Sequence, residues 1–345
     1  TSVGFTPVLR KTGTKIINCN PDDPLPGRKW MLRCERCQHT KTSETEFADT
    51  HCPKCGAPEG DHSMSRFQIA VPSAFRTDFG RGKDAKDEGE FLPAGLSSLA
   101  ESQTGGNTNS KIIANARVVF SSSRVFRLNS NAGQCFIGAV GSTRKGTAVL
   151  ENQWIEQEYQ NEIALFDPQT KQPPPAPEKI AIVAPKTTDL ICISSAEIPQ
   201  GICLNPLDHG NQGESIESAA CAKGAYYSAA FLLRKFAAID FDIDPDEINI
   251  SCLRAIEHHN GYAGEIVLSD NLPNGAGFVA EMFQNFEGLL NEATGQTDKK
   301  HKFFEDLIAP AHLKSCDTSC PACLRQFRNM QFHGLFDWRL GISLL

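Results

Sequence analysis

Apolar residues recur along this chain in two rhythms, and the change from one to the other divides it. Between 111 and 150 they come in short bursts, KIIANARVVF, SRVFRL, CFIGAV and GTAVL, separated by Asn, Gly and Ser. β-Branched and aromatic bursts of that length, bounded by turn formers, predict strands. KIAIVAP (179–185) and DLICISSA (189–196) predict two buried strands, and INISCLRAIE (248–257) and GEIVLSD (264–270) two more. Between these pairs the period lengthens. Ala219, Ala222, Tyr226, Ala229, Leu233 and Phe236 recur at alternating steps of three and four, which lines one face of a helix over 212–238. Asn211 and Glu214 stand where a capping box would open that helix. PNGAGFVAEMFQNFEGLL (273–290) predicts a glycine turn running into a helix, with two further helices over 303–314 and 321–345.

Polar stretches mark the boundaries. Residues 1–62 are rich in turn formers and carry two CxxC pairs; 63–79 holds a short apolar run, and GRGKDAKDEGEFLPAG (80–95) predicts a charged loop. DPQTKQPPPAPE (167–178) is Pro-rich and extended by composition. The expected organisation is a CxxC-bearing region over 1–62, a strand-rich region over 63–166, a linker over 167–178 and a C-terminal domain over 179–345. Strands alternating with helices beyond the linker predict an α+β or α/β fold there.

Composition narrows the class. The chain has 345 residues and a net charge of −7, so no global basic field advertises nucleic acid. Its apolar runs fall short of the roughly 18 residues that cross a bilayer, and no signal-peptide pattern opens it. It begins on Thr1 without an initiator Met, as a piece of a longer chain would. Thirteen cysteines are present. CxxC pairs beside scattered cysteines in apolar stretches fit a reducing cytoplasm, with Cys19, Cys135, Cys192, Cys203, Cys221 and Cys252 expected as buried free thiols.

The clustered cysteines carry the chemistry. Cys34, Cys37, Cys52 and Cys55 form C-x2-C, fourteen residues, C-x2-C, the spacing of a structural zinc ribbon whose four thiolates close the coordination shell. His51 and His62 lie nearby in sequence and are not needed. Cys316, Cys320 and Cys323 place three thiolates within eight residues, and zinc is the expected occupant. The fourth ligand is open between His312, four residues upstream on the same helical face, His333, and a distant cysteine such as Cys203 or Cys252; His312 is preferred.

CDTSCPACLRQFRNMQFHGLFDW resembles the C-terminal zinc-binding (MZB) signature of MrfA-type helicases and of the DrmB family of the DISARM phage-defence system. The resemblance rests on Cys323-Leu324, Phe327, Asn329, His333 and Phe336-Asp337-Trp338, and it spans roughly 179–345. The helicase form has a cysteine where this chain has Lys314, which favours the DrmB-like branch. That likeness implies a non-catalytic accessory subunit of an anti-phage complex, with a DrmA-like helicase and DNA as partners. The alternative is the C-terminal part of an MrfA-like DNA-repair helicase whose motor domains are absent from this chain.

No G-x4-G-K-[ST] phosphate loop occurs in the sequence; GSTRKGT (141–147) has the glycine–lysine order wrong. NGAGF (274–278) opens a helix and is read as a tight turn before an anion site. HLKSCD (312–317) misplaces the acid of a phospholipase-D-type nuclease motif, and the acids of FDIDPDE (241–247) are read as a solvated turn. Between Gln103 and Leu150 there is no acid, whereas Lys111, Arg117, Arg124, Arg127, Arg144 and Lys145 all fall there. Such a tract would contact a phosphate backbone without reading sequence. Lys314, Arg325, Arg328 and Arg339 are a second candidate patch.

Overall fold

A computed structural model of the chain describes residues 9–12, 15–18, 27–60, 62–71, 96–101, 109–130, 135–140, 148–151, 178–206, 216–297 and 301–345. The strands, in chain order, are β1 (Leu9–Thr12), β2 (Lys15–Asn18), β3 (Lys29–Cys34), β4 (Thr40–Ser43), β5 (Met64–Ala70), β6 (Leu96–Ala100), β7 (Asn109–Ile113), β8 (Ala116–Asn129), β9 (Phe136–Val140), β10 (Ala148–Glu151), β11 (Glu178–Ser195), β12 (Ile248–His258) and β13 (Gly261–Asp270). The helices are α1 (Ile216–Asp240), α2 (Phe278–Gln284), α3 (Phe286–Thr294), α4 (Lys302–Ile308), α5 (Pro310–Ser315) and α6 (Trp338–Leu344), with 3-10 turns at Pro245–Glu247 and Phe327–Phe332. The architecture is mixed α+β: β1 and β2 pair by themselves, and the other eleven strands form one sheet. The 80–95 loop, most of the 167–178 segment and the proposed cap residues Asn211 and Glu214 lie outside the described residues.

The two strands predicted at 179–185 and 189–196 are one strand of 18 residues. β8 pairs antiparallel along Ile182–Ser195 without a register shift, so the polar stretch 186–189 is held as strand by its neighbour. On the opposite edge β5 pairs parallel as far as Ile182, and β13 joins only at Leu190. Pro185 sits in the gap between them, where a residue lacking an N–H is tolerated. Side chains and a turn fill part of that gap. Lys186 Nζ donates to the carbonyls of Asp270 (2.8 Å) and Asn271 (2.7 Å), Thr188 Oγ1 to that of Leu272 (2.7 Å), and Asn274 N–H to that of Thr187 (2.7 Å).

Strand alternation then assigns two buried faces. Val118, Ile191, Ile193, Ile266 and Leu268 face α1, while Val125, Leu190, Cys192, Val267 and Cys252 form a core on the other side. α1 is buried on more than the predicted stripe. Ala230, Phe231, Leu232 and Ala237 join Ala229, Leu233 and Phe236, because α6 covers the side of α1 that the sheet does not. The approach is close: a Cβ on Gly341 would lie 2.8 Å from Ser228 Cβ, and one on Gly224 2.6 Å from the carbonyl oxygen of Leu335. Cys135, Cys192 and Cys252 are buried as expected, but Cys203 and Cys221 are exposed, and Cys19 lies outside the described residues. No helix is long and apolar enough to cross a membrane among the described residues.

The C-terminal helices depart from the sequence expectation. The helix over 303–314 breaks before Pro310, where Ala309 is extended. The helix over 321–345 is instead a cysteine turn, a 3-10 turn and the seven residues of α6. The cap at Asp337, whose carboxylate accepts from Arg339 N and Leu340 N, starts α6 afresh within that segment.

Glycine-rich NGAGF does open a helix, and its anion comes from the protein. The fully buried Asp270 carboxylate accepts from Ala276 N (2.7 Å), Gly277 N (2.8 Å) and Val279 N (3.0 Å), the free donors at the start of α2. Asp270→Ala takes the acceptor from three helix-start donors, of which the Val279 N–H is buried, and should lower the unfolding free energy by about 1–2 kcal/mol. Urea denaturation measures it, and an unshifted midpoint would mean that water replaces the carboxylate at no cost.

Candidate metal centres

The first centre is built by two matching turns. Cys34 ends β3, and its N–H bonds the carbonyl of His39 at 2.9 Å; Cys52 N–H bonds that of Ala57 at 2.7 Å. In each turn the residue after the second cysteine is left-handed, Gln38 with φ 57° and Gly56 with φ 67°. The turns place Cys34 Sγ 3.6 Å from Cys55 Sγ and Cys37 Sγ 3.5 Å from Cys52 Sγ, with all four sulfurs within 4.8 Å of one another. Sulfurs at about 2.3 Å from a tetrahedral zinc stand roughly 3.8 Å apart, so the cluster fits the ion. Hydrogen bonds from Cys34 lower the thiols of Cys52 and Cys55, the latter to about 7. The ribbon is tied to the main sheet by Ala255 N–H of β12, which donates to Cys37 O at 3.2 Å. His51 and His62 are exposed and take no part: His51 bonds Thr50 and His62 lies beside Glu35.

The second centre gathers His312, Cys316, Cys320 and Cys323, whose donor atoms also lie within 4.8 Å of one another. Cys316 Sγ is 3.8 Å from Cys323 Sγ, and His312 Nε2 is 3.4 Å from Cys320 Sγ. His312 lies in α5 and Cys316 caps its end, so one turn of helix delivers both. The other ring nitrogen, Nδ1, bonds the carbonyl of Leu307 at 2.9 Å, which fixes the tautomer that leaves Nε2 free for a metal. Burial pushes the Cys316 thiol up to about 12. Cys320 is also raised by burial, but hydrogen bonds from the Cys323 backbone and His312 outweigh this and bring it to about 7. Four thiolates, as at the first centre, and three thiolates with one imidazole, as here, are both donor sets of structural zinc sites, and zinc is the cofactor they fit. The other candidates for the fourth position are elsewhere. His333 Nε2 lies 2.9 Å from Asn329 Oδ1, Cys203 is exposed, and Cys252 is packed in the sheet core.

The residues around the second centre have specific work. Asn329 is buried; its amide donates to Leu324 O (2.8 Å), and its oxygen accepts from Gln326 N (2.8 Å) and meets His333. It therefore locks the chain just after the cysteine turn. The ring of Trp338 packs 5.5 Å from that of His312, and Trp338 N–H bonds Thr318 O at 2.9 Å. Lys235 of α1 was not singled out from the sequence. Its ammonium donates to Ala322 O (2.7 Å) and Cys323 O (2.9 Å) and lies 4.2 Å over the Phe303 ring. Burial lowers its pKa, and the thiols of Cys323 and Cys320 oppose that shift. The Arg234-Lys235 pair inside an otherwise apolar helical stretch was the available signal.

The basic tract does not form one stripe. Lys111 pairs with Val118, and register alternation puts Lys111 and Arg124 on one face of the sheet, Arg117 and Arg127 on the other. Lys111 already donates to Gln284 O (3.1 Å) and lies over Phe283. Arg144 and Lys145 lie outside the described residues. In the second patch, Arg325 bonds Ser319, Arg328 pairs with Asp246 at 2.6 Å, and Arg339 reaches the carbonyl of Asp317; Lys314 is exposed. The acids of FDIDPDE are structural: Asp244 caps the 3-10 turn, and Asp246 also faces the buried Arg234 at 3.5 Å.

The family model of the MrfA Zn-binding domain (MZB) matches residues 229–324, a span that runs from α1 to the cysteine turn and contains the whole second tetrad. Among solved structures, the DUF1998 helicase MrfA bound to DNA is similar at 13% identity and a TM-score of 0.40, over 73% of this chain and 24% of that one. The chain thus spans about a quarter of that helicase. No curated protein matches the chain.

Two tetrads predict two zinc ions per chain. Cys320→Ser should remove one of them, and His312→Cys should keep both, by elemental analysis. Full zinc content in Cys320→Ser would place the ion elsewhere. Lys235→Met should weaken retention at the second centre by about 10- to 100-fold in chelator competition. Both centres should lose metal on acidification, because protons compete for the same sulfur and nitrogen atoms.

Proposed function

We propose that the chain is a non-catalytic, cytoplasmic accessory subunit of the DrmB type in an anti-phage defence complex, holding a DrmA-like helicase and DNA together. The observation that carries this reading is the closed donor set at both centres. Four protein ligands leave no position at which a metal could activate water. The metals then act as staples, and a hydrolase or nuclease built on the second centre is disfavoured. A sequence without a phosphate loop supports a motor supplied by another chain. The match to the MrfA Zn-binding domain supports service to a helicase. In this reading the 179–345 unit is the helicase-facing part, while the 1–62 ribbon and the strands of 63–166 present backbone-contacting cations to DNA. The domain match equally favours a second reading, in which the chain is the C-terminal part of an MrfA-like DNA-repair helicase.

Arg117 and Arg127, exposed on one sheet face, are the cleanest candidates for duplex backbone contacts. Arg117→Glu with Arg127→Glu should weaken DNA binding and reduce the slope of log affinity against log salt by roughly 2, about one per phosphate contact. Titration by fluorescence anisotropy at several salt concentrations measures it. An unchanged slope moves the DNA contact elsewhere. Co-purification with a DrmA-type helicase tests the accessory role, and an ATPase motor within the same reading frame would decide for the second reading.

A further inference from the structure

The strands β6, β8, β11, β13 and β12 are hydrogen-bonded in that order, and they curl until the last meets the first. One buried cluster fills the space they enclose and draws on all five: Ala100 from β6, Val125 from β8, Leu190 and Cys192 from β11, Val267 from β13 and Cys252 from β12. The result is a small closed barrel with one irregular seam. Among the described residues β6 and β12 share no backbone ladder, and Arg254 of β12 spans the gap instead. Its buried guanidinium donates through Nη2 to the carbonyls of Ala100 (2.8 Å) and Glu101 (3.2 Å), at and just past the end of β6. Nη1 lies 3.5 Å from Glu265, the cross-strand partner of Arg254 on β13. The ribbon straddles the same seam. Ala255 N–H of β12 donates to Cys37 O (3.2 Å), and Glu101 Oε1 accepts from the N–H (3.1 Å) and the hydroxyl (2.5 Å) of Thr42 on β4.

We propose that Arg254 is the latch of this barrel and that metal loading of the first centre sets it: with the ion bound the seam is closed, and with the ion gone β6 and β12 part. A seam held by side-chain bonds lacks the mutual support of a ladder, so it depends on where the ribbon stands. The ion fixes both arms of that support. It takes Cys37, whose carbonyl holds β12, and Cys34, which ends β3, the strand to which β4 and Thr42 are paired. Parting of the strands returns the Ala100 and Glu101 carbonyls and the Arg254 guanidinium to water, which offsets most of the bonds lost. The seam's own balance is therefore small beside the binding free energy of a structural zinc. Coupling of this kind is reciprocal, so whatever closes the seam also tightens the ion. The second centre is bonded to Lys235 of α1 and not to the seam, which makes it an internal control. The device needs neither helicase nor DNA and stands apart from the partner reading above.

The test follows amide hydrogen exchange and zinc release to a chelator in the full-length, zinc-loaded chain and in Cys55→Ser, Glu101→Ala, Arg254→Met and Arg254→Lys. Cys55→Ser should keep the second ion, whose release phase it thereby identifies. It should also raise exchange at 96–101 and 248–258 by about 10-fold and leave 301–345 as in the parent. Glu101→Ala and Arg254→Met keep every metal ligand, yet each should speed release of the first ion by about 10-fold while the second leaves at the parent rate. Arg254→Lys, which keeps a charge beside Glu265, should fall between Arg254→Met and the parent. Equal exchange at the seam in the parent and in Cys55→Ser overturns the proposal, as does a parent rate for the first ion in Glu101→Ala. Faster release of both ions together would mean a general loosening of the fold and would also defeat the latch. If the cysteine or arginine variants do not fold, Glu101→Ala decides alone, because Glu101 is partly exposed past the end of β6.

Discussion

Backbone hydrogen bonding along β11 is the constraint on which the rest of this molecule depends. A buried strand must satisfy donors and acceptors on both edges, and β11 does so by changing partners along its length. β9 gives way to β8 on one edge, and β5 to β13 on the other. Because the same strand serves all four, the ribbon-bearing strands β3, β4 and β5 and the hairpin β12–β13 are held in one sheet. The changeover on the second edge is incomplete. The stretch left over is filled partly by Lys186, Thr188 and the turn at Asn274, and partly left as a cavity beside Arg124.

The two metal centres solve a problem that the sheet does not. Each closes a tight cysteine turn onto apolar neighbours, the first onto Phe47 and Met64 and the second onto the main core beside Leu324 and Phe336. A zinc-bound tetrad contributes on the order of 10 kcal/mol to such a segment. The centres are also anchored inward. The first is bonded through Cys37 O to β12, and the second through the carbonyls of Ala322 and Cys323 to Lys235 on α1. Loading of the metals is thereby coupled to the packing of the sheet and of the helix that crosses it.

Charges that suggest chemistry in isolation are largely consumed internally. Asp270 serves as the anion at a helix start, Asp246 is shared by Arg234 and Arg328, and Arg339 holds the turn after Cys316. Arg124 makes no such contact among the described residues; its direct cross-strand partner is Thr187, and Glu44 is engaged by Lys29.

Much of this protein was legible in the sequence where the signal is local. Cysteine spacing picked out the four thiolates of the first cluster and three of the second, since thiolates two or three residues apart can face one ion whatever surrounds them. The period of three and four along 219–236 gave α1, and β-branched bursts gave the strands. Other features were not local. Continuity of β11 through Lys186–Asp189 was decided by β8 pairing alongside it, and breakage of the final segment by the Asn329 network and the Asp337 cap. His312 was one of several possible fourth donors until α5 placed its Nε2 beside Cys320. The separation of Lys111 and Arg124 from Arg117 and Arg127 followed from strand register, which no stretch of sequence encodes by itself. Short-range geometry follows from residue identity and spacing, whereas register, partner choice and which charges remain unspent arise only when distant segments meet and compete for the same hydrogen bonds and surfaces.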